Sequence, residues 1–250
     1  MTQAIWTQTY PVNTLVVNPQ KRLGLVGLLG ILQDVAWMHA DHLGHGYEAT
    51  IDAGALWVLS RQKLVMADWP RWRDQLTVRT WVRPIKGPMF LRDYEMLIGE
   101  RKVGECTAGW FTLDAKTRRP VRLAAAGQRF AWREEGALAT TPGKIASLAD
   151  LAQLASFSVR NSDLDLNGHV NNTRYAQWIL DAAPNEAHRD CRVAAYEVNF
   201  LAEIQVGDAV AIEGAPFEPP PSPEIDRHFQ GRRLSDGAIA FAALIRAAEA

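Results

Sequence analysis

Cysteine is scarce in this chain of 250 residues, which has two, Cys106 and Cys191. Two thiols cannot build a disulfide framework, a zinc ribbon or an iron–sulfur cluster. Long apolar runs are missing as well. The most apolar stretch, Leu23 to Leu32 (LGLVGLLGIL), is ten residues long, about half of what a bilayer-spanning helix needs. It reads as the start of a buried helix, and no membrane partner is expected. There is no excess of either charge sign: 27 Lys and Arg stand against 28 Asp and Glu, a net of −1. A nucleic-acid binder that relies on overall positive charge is disfavoured. No P-loop, G-x-G-x-x-G or G-x-S-x-G motif is present, so nucleotide-binding and serine-hydrolase readings lack support. The opening MTQAIWTQTYPV has neither a basic nor an apolar signal-peptide region, and a cytoplasmic location is expected.

The elements that are present follow a pattern. The helical run continues from Leu23 through Val35, Ala36 and Met38 to about Leu43. A helix apolar on most sides belongs at the centre of a fold. Strand-like segments follow at Leu56–Ala67, Gln75–Val82, Met89–Ile98 and Gly104–Leu113, with turns expected at Lys86-Gly87-Pro88 and Asp114–Thr117. Long strands with short turns after one buried helix indicate an antiparallel sheet curled around that helix. Residues 136–154, rich in Ala, Gly and Thr and carrying Pro142-Gly143, read as a connection with a short helix near Leu148–Leu154. The plan then repeats. Asn172–Ala183 places Tyr175, Trp178, Ile179 and Ala182 on one helical face, with Asn171 or Asn172 as N-cap. Strands are expected at Val193–Ala202, Ala209–Gly214, Phe229–Leu234 and Ala238–Arg246, with a hairpin turn at Asp236-Gly237. Phe217–Glu224 reads as a surface loop.

The halves also match locally. Lys63-Leu64 through Asp74-Gln75-Leu76 aligns with Glu197-Val198 through Asp208-Ala209-Val210 at a constant offset of 134. The expected organisation is α+β, with a unit at 1–135, a linker at 136–154 and a second unit at 155–250. Charge divides along the same line. Residues 1–135 hold 18 basic and 13 acidic side chains, and residues 136–250 hold 9 and 15.

The densest polar cluster is Ser162 to Asn172, SDLDLNGHVNN. Asp163, Asp165, Asn167, His169 and Asn171 occupy every second position. In extended chain they would share one side, just ahead of a helix whose first N–H groups are free. A carboxylate, an amide, an imidazole and backbone donors are the parts needed to position water and stabilise an oxyanion.

The string Asp165-x-Asn167-x-His169-Val170-Asn171-Asn172-x-x-Tyr175, followed by Trp178, resembles the hot-dog thioesterases, and among them the acyl-acyl carrier protein thioesterases, which are built as two fused hot-dog units. The resemblance runs from Tyr10-Pro11-Val12 to the last strand. It implies a double hot-dog with a catalytic second unit. It places the family's aspartate, asparagine and histidine at Asp165, Asn167 and His169, and its glutamate, on a later strand, at Glu203. Plant members carry a cysteine after that glutamate; here Ile204 stands there, so the resemblance implies attack by water, by way of Asp165 or Glu203, with a nucleophilic Asp165 as the rival. Gly168, Asn171 and Asn172 would surround the oxyanion at the helix N-terminus. The implied activity is hydrolysis of fatty acyl-carrier thioesters, with acyl-CoA hydrolysis or non-catalytic acyl binding as alternatives. No cofactor is implied.

The first unit lacks the polar string, so its central helix is a candidate wall for the acyl chain, through Gly27, Leu28, Ile31 and Leu32. The family's carrier is acidic, which gives meaning to two basic stretches. One runs through Arg71, Arg73, Arg79, Arg83 and Lys86, the other through Arg118, Arg119, Arg122, Arg129 and Arg133. Arg71, Arg73, Arg118 and Arg119 are the docking candidates. A metal at His39, His42 and His45 is not expected, because Gly44 and Gly46 break the helix that would align them. The chain is expected to act as a monomer of fused units or as a homodimer.

Overall fold

A computed structural model describes residues 4–84, 89–121, 133–215 and 226–249. The turn at Lys86-Gly87-Pro88, Arg122, Arg129 and the loop Phe217–Glu224 lie outside them. The chain divides into two compact units, Met1–Pro142 and Gly143–Ala250.

The first unit runs β1 (Trp6–Pro11), α1 (Leu25–His42), α2 (Tyr47–Asp52), β2 (Ala55–Met66), β3 (Gln75–Val82), β4 (Phe90–Ile98) and β5 (Arg101–Asp114). Its strands pair antiparallel in the order β1-β3-β4-β5-β2. The second runs β6 (Ala152–Ser158), α3 (Asn172–Asp181), α4 (Asn185–Asp190), β7 (Cys191–Phe200), β8 (Ala209–Gly214), β9 (Arg227–Arg233) and β10 (Ile239–Glu249). Its order is β6-β8-β9-β10-β7. Strand for strand the two orders are the same, which is what a duplicated unit requires.

In the first unit α1 buries Leu25, Leu28, Leu29, Leu32 and Val35 and packs on β1 and β3. Gly44, at φ +75°, ends this helical stretch in a conformation that a residue with Cβ adopts at a cost. In the second unit α3 buries Tyr175, Ala176, Trp178 and Ile179. Tyr175 meets Phe200 and Phe241 edge-on, each at 5.1 Å, a geometry that aromatic quadrupoles favour. Phe241 also lies over Gly231, where an added Cβ would fall 2.0 Å from its ring. The small residue is what lets the aromatic cluster close.

The match at offset 134 has a physical cause. Asp74 Oδ2 accepts from the Arg71 N–H at 2.7 Å, and Asp208 Oδ2 accepts from the Gln205 N–H at 3.0 Å. The Asp74 N–H returns to the Arg71 carbonyl, as the Asp208 N–H returns to that of Gln205. Between them Arg73 and Gly207 both have positive φ, +77° and +92°. Each aspartate stabilises the turn that launches a strand.

Several boundaries differ from expectation. Leu148–Leu154 forms no helix; β6 begins at Ala152 and pairs with β8 from Ala152↔Gly214 to Ser158↔Ala209. An unpaired strand edge overrides the weak helical preference of that Ala- and Leu-containing stretch. β1, with no aliphatic alternation, and the six-residue helices α2 and α4 had no distinct sequence signal. Residues 136–154 are not a free linker. The Ala137 N–H donates to buried Asp93, while the N–H groups of Gly143, Ile145 and Leu148 donate to Glu197, Asn199 and Gln230. The stretch is laid along each unit by side chains that take up its backbone donors.

Candidate active site

The polar string is not extended. Asn161–Asp163 is one 3₁₀ turn, and the chain then folds back on itself through the bridge Leu164↔Val170. The Asp165 N–H donates to the His169 carbonyl at 2.8 Å, and the Gly168 N–H to the Asp165 carbonyl at 3.1 Å. Asp165 Oδ1 accepts from the backbone N–H groups of Asn167 at 2.8 Å and His169 at 3.3 Å. The aspartate thus caps its own turn, as Asx residues do. Gly168 sits at φ +73° with nothing within 4 Å of an added Cβ. Its lack of a side chain serves the left-handed turn, and crowding is not the reason for it.

The five alternating residues therefore have different duties. Asp163 is a scaffold: its carboxylate accepts from the Arg160 N–H and lies 3.6 Å from Arg174 Nε, and its carbonyl accepts from the Asn171 N–H. Asn171 is the N-cap of α3, accepting from the Thr173 N–H at 2.9 Å. Asn167 is exposed at the turn, and its side-chain amide makes no hydrogen bond among the described residues. His169 Nε2 lies 3.7 Å from Glu203 Oε2. Glu203 is not on a strand; it sits in the loop after β7. That loop is tied to the turn by the Val170 N–H donating to the Ile204 carbonyl at 3.2 Å.

The expected oxyanion donors narrow to one. The Gly168 and Asn171 N–H groups are engaged in the turn, and that of Thr173 is held by the N-cap. The Asn172 N–H, at the positive end of α3, donates to nothing among the described residues. Below the site, Tyr175 is 4% exposed. Burial, reinforced by the carboxylates of Glu203 and Asp165, pushes its phenol well above the ordinary range, so it stays protonated as a neutral floor.

Two side chains of this site escaped the sequence reading. Tyr175 was visible as a motif residue but read as helix face. Arg233, at the end of β9, donates from Nη1 to the Glu203 main-chain carbonyl at 2.5 Å. The only sequence signal near it was the Asp236-Gly237 turn.

Burial raises both cysteine thiols above the ordinary range. Cys106 is fully buried, and desolvation raises its thiol pKa far above normal. Cys191 opens β7 and does not lie in a loop. Ile204 is fully buried. Of the histidines, His39 is enclosed with Nδ1 2.8 Å from Arg92 Nη1. Among the described residues no three His, Cys, Asp or Glu side chains gather as a metal site, and no helix is long and apolar enough to cross a membrane.

The basic stretches are not one surface. Arg83 is committed to buried Asp93 through two bonds of 2.6 and 2.7 Å, and Arg133 lies over the Trp81 ring. Arg71, Arg73, Arg118 and Arg119 are exposed. Arg71 and Arg73 follow the end of β2, whereas Arg118 and Arg119 follow Asp114, which pairs with the start of β2 at Ala55. The length of β2, at ~3.3 Å per residue, separates the pairs by roughly 35 Å.

Two sets of five strands with equal topology, each with its own helix, define a tandem hot-dog protein. The chain belongs to the acyl-ACP thioesterase family. The family's N-terminal domain matches residues 3–126 and its C-terminal domain residues 147–234. A palmitoyl-acyl carrier protein thioesterase of Gossypium hirsutum is 28% identical over 72% of this chain and 47% of its own length. A dodecanoyl-[acyl-carrier-protein] hydrolase of Cinnamomum camphora is 26% identical over 80% and 56%. The chain thus spans about half the length of these curated relatives. The fold is shared with an acyl-ACP thioesterase from Bacteroides thetaiotaomicron, at TM-score 0.87, 22% identity and 98% of both chains. It is shared equally with the 12:0-ACP thioesterase from Umbellularia californica, at TM-score 0.87, 17% identity, 100% of this chain and 99% of that one.

Proposed function

We propose that this protein hydrolyses fatty acyl-acyl carrier protein thioesters, releasing a free fatty acid and the carrier's thiol. The observation that carries the reading is the meeting of His169 and Glu203 at 3.7 Å beside the capped Asp165 turn. That gap exceeds a direct hydrogen bond and suits a shared water. Glu203 takes a proton from this water, and its oxygen attacks the thioester carbonyl carbon. The Asn172 N–H receives the developing oxyanion. The C–S bond breaks, and the proton held by Glu203 passes through His169 to the departing thiolate, which leaves both side chains as they began. Asp165 supplies fixed negative charge and a second oxygen to orient the network. No cofactor enters the reaction, and the same reading puts the enzyme in the cytoplasm.

The apolar interior beneath α1 is proposed as the acyl-chain receptacle, with Leu28, Ile31 and Leu32 on its wall. Gly27 is withdrawn from that set, since its added Cβ would meet the Val16 carbonyl at 3.0 Å. The test is free-acid release from acyl-carrier and acyl-CoA panels of graded chain length. Turnover of carrier substrates at higher kcat/KM is expected. A preference for acyl-CoA would replace the substrate assignment, and acid release from neither would overturn the reading. Single turnover in heavy-oxygen water separates the two nucleophiles: label in a protein carboxylate before the product acid would establish attack by Asp165.

A further inference from the structure

We propose that Arg233 is a positioning residue for Glu203, clamping the loop that presents this carboxylate to the reaction; the inference rests on the function proposed above. Arg233 is held first. Its Nε and Nη2 grip Asp236 Oδ1 and Oδ2 at 3.0 and 2.6 Å, and its backbone N–H donates to the Ala238 carbonyl at 2.9 Å. The Asp236 carboxylate also accepts from the Ala238 N–H at 3.1 Å. With one edge of the guanidinium fixed by a planar fork, Nη1 is aimed at the Glu203 carbonyl, 2.5 Å away.

The loop beyond Glu203 is tied to the same hairpin turn. Ser235 Oγ bonds Asp208 Oδ1 at 3.2 Å, while Asp208 Oδ2 holds the Gln205 N–H at 3.0 Å. On the other side, the Ile204 carbonyl is held by the Val170 N–H. Glu203 therefore stands between two main-chain anchors. Its side chain, 41% exposed, faces His169 Nε2 at 3.7 Å.

The first unit supplies an independent comparison. At the offset of 134, Glu203 corresponds to Trp69, which is 4% exposed. Leu76 pairs with Ile98, and its counterpart Val210 pairs with Arg233, so Ile98 occupies the place of Arg233. At these two positions the first unit has neither the glutamate nor the arginine; its acid–arginine pair is instead Asp68 with Arg101, at 2.9 Å. A residue needed merely to close the β9–β10 turn would have no reason to disappear together with the acid.

Catalysis is sensitive to such anchoring, because a displacement of ~1 Å can cost ~100-fold in rate. The experiment compares Arg233→Met, Arg233→Lys, Glu203→Gln and the double variant Arg233→Met/Glu203→Gln on an acyl-carrier substrate. Methionine keeps the apolar stem, and circular dichroism selects folded protein. Arg233→Met should lower kcat about 10- to 100-fold with KM within twofold of wild type. Arg233→Lys, which restores one donor without the fork, should recover part of the loss. In the Glu203→Gln background, Arg233→Met should add less than twofold.

A folded Arg233→Met with wild-type kcat, or full additional loss in the double variant, overturns the proposal. If Arg233→Met does not fold, Arg233→Lys decides: kcat reduced at constant KM supports the clamp, and wild-type kcat refutes it. Failure of the functional reading looks different, since then Glu203→Gln itself retains wild-type turnover or the wild type releases no acid.

Discussion

Replacing Asp165 separates the two duties that the structure gives it. Its Oδ1 holds the N–H groups of Asn167 and His169, and the proposed mechanism uses its charge. Alanine removes both. Two hydrogen bonds to a half-exposed carboxylate, one of them long at 3.3 Å, contribute roughly 1–2 kcal/mol together, so Asp165→Ala should lower Tm by about 2–8 °C. Asparagine keeps an Oδ1 acceptor and removes only the charge. The first unit already contains this substitution. Ahead of α1, Val17↔Leu23 form the bridge equivalent to Leu164↔Val170. Between them Asn18 Oδ1 accepts from the N–H groups of Gln20 and Arg22 at 3.1 and 3.0 Å. Lys21 adopts φ +59° in the place of Gly168. Asp165→Asn should therefore melt within about 0.5 kcal/mol of wild type, yet lose about 100-fold in kcat, the cost of misplacing reacting groups by ~1 Å. The assay pairs a thermal melt with mass-spectrometric measurement of acid released from an acyl-carrier substrate. If Asp165→Asn turns over within fivefold of wild type, its charge has no part in the reaction. If it melts with Asp165→Ala, the comparison with Asn18 is wrong.

Three further predictions concern surface and chemistry. Charge reversal of Arg71 and Arg73, or of Arg118 and Arg119, should raise KM for an acidic carrier about 3- to 10-fold at low salt for one pair only, fading as salt rises; equal effects from both pairs would contradict docking at one end. In native protein a maleimide should label Cys191 and leave Cys106 unmodified, and Cys106→Ala and Cys191→Ser should keep kcat within twofold; loss of turnover on Cys191→Ser would reopen a thiol mechanism. Asp236 should titrate at about 2, because the Arg233 fork and the Ala238 N–H favour its charged form. The depressed value means that the pair's contribution is complete above the unfolded range near 3.9 and is lost as pH falls through about 2. A carboxyl-carbon NMR midpoint near 3.9 would show that the fork does not persist in solution.

The central helices were legible because their apolar spacing is dense, and β3 and β8 because alternation and a preceding aspartate mark them. β1 and β6 were not legible. Each is an outer strand of its own unit's sheet, and neither carries an aliphatic face strong enough to announce itself; their pairing is a property of the neighbouring strand. At the candidate site, periodicity misjudged the geometry of the eleven-residue string. Alternation implies a shared face only in extended chain, and Asp165, Gly168 and Asn171 each favour a local backbone bond that bends the chain. That bending closes the donors of Gly168 and Asn171 and separates the scaffold residue Asp163 from the chemistry. Arg233 could not have been found from spacing, since its partner lies 30 positions away and the bond is to a main-chain carbonyl.

On the proposed mechanism, the turn ahead of each helix accounts for chemistry in the second unit and not in the first. In the first unit Asn18, Gln20, Lys21 and Arg22 reproduce the backbone bonds of Asp165, Asn167, Gly168 and His169, including the return from Arg22 to the Asn18 N–H at 2.8 Å. The Leu23 N–H even meets the Pro70 carbonyl as the Val170 N–H meets that of Ile204. The two turns thus share one hydrogen-bond pattern, with corresponding lengths that differ by at most about 0.5 Å. Where the second unit has an acid, an imidazole and a glutamate, the first has Asn18, Arg22 and buried Trp69. A turn of this kind therefore needs no charge to form, and the folding requirement is already met by a neutral amide. The carboxylates of Asp165 and Glu203 are surplus to that requirement. Together with the anchoring of Glu203 from both sides, this surplus points to a chemical use for them.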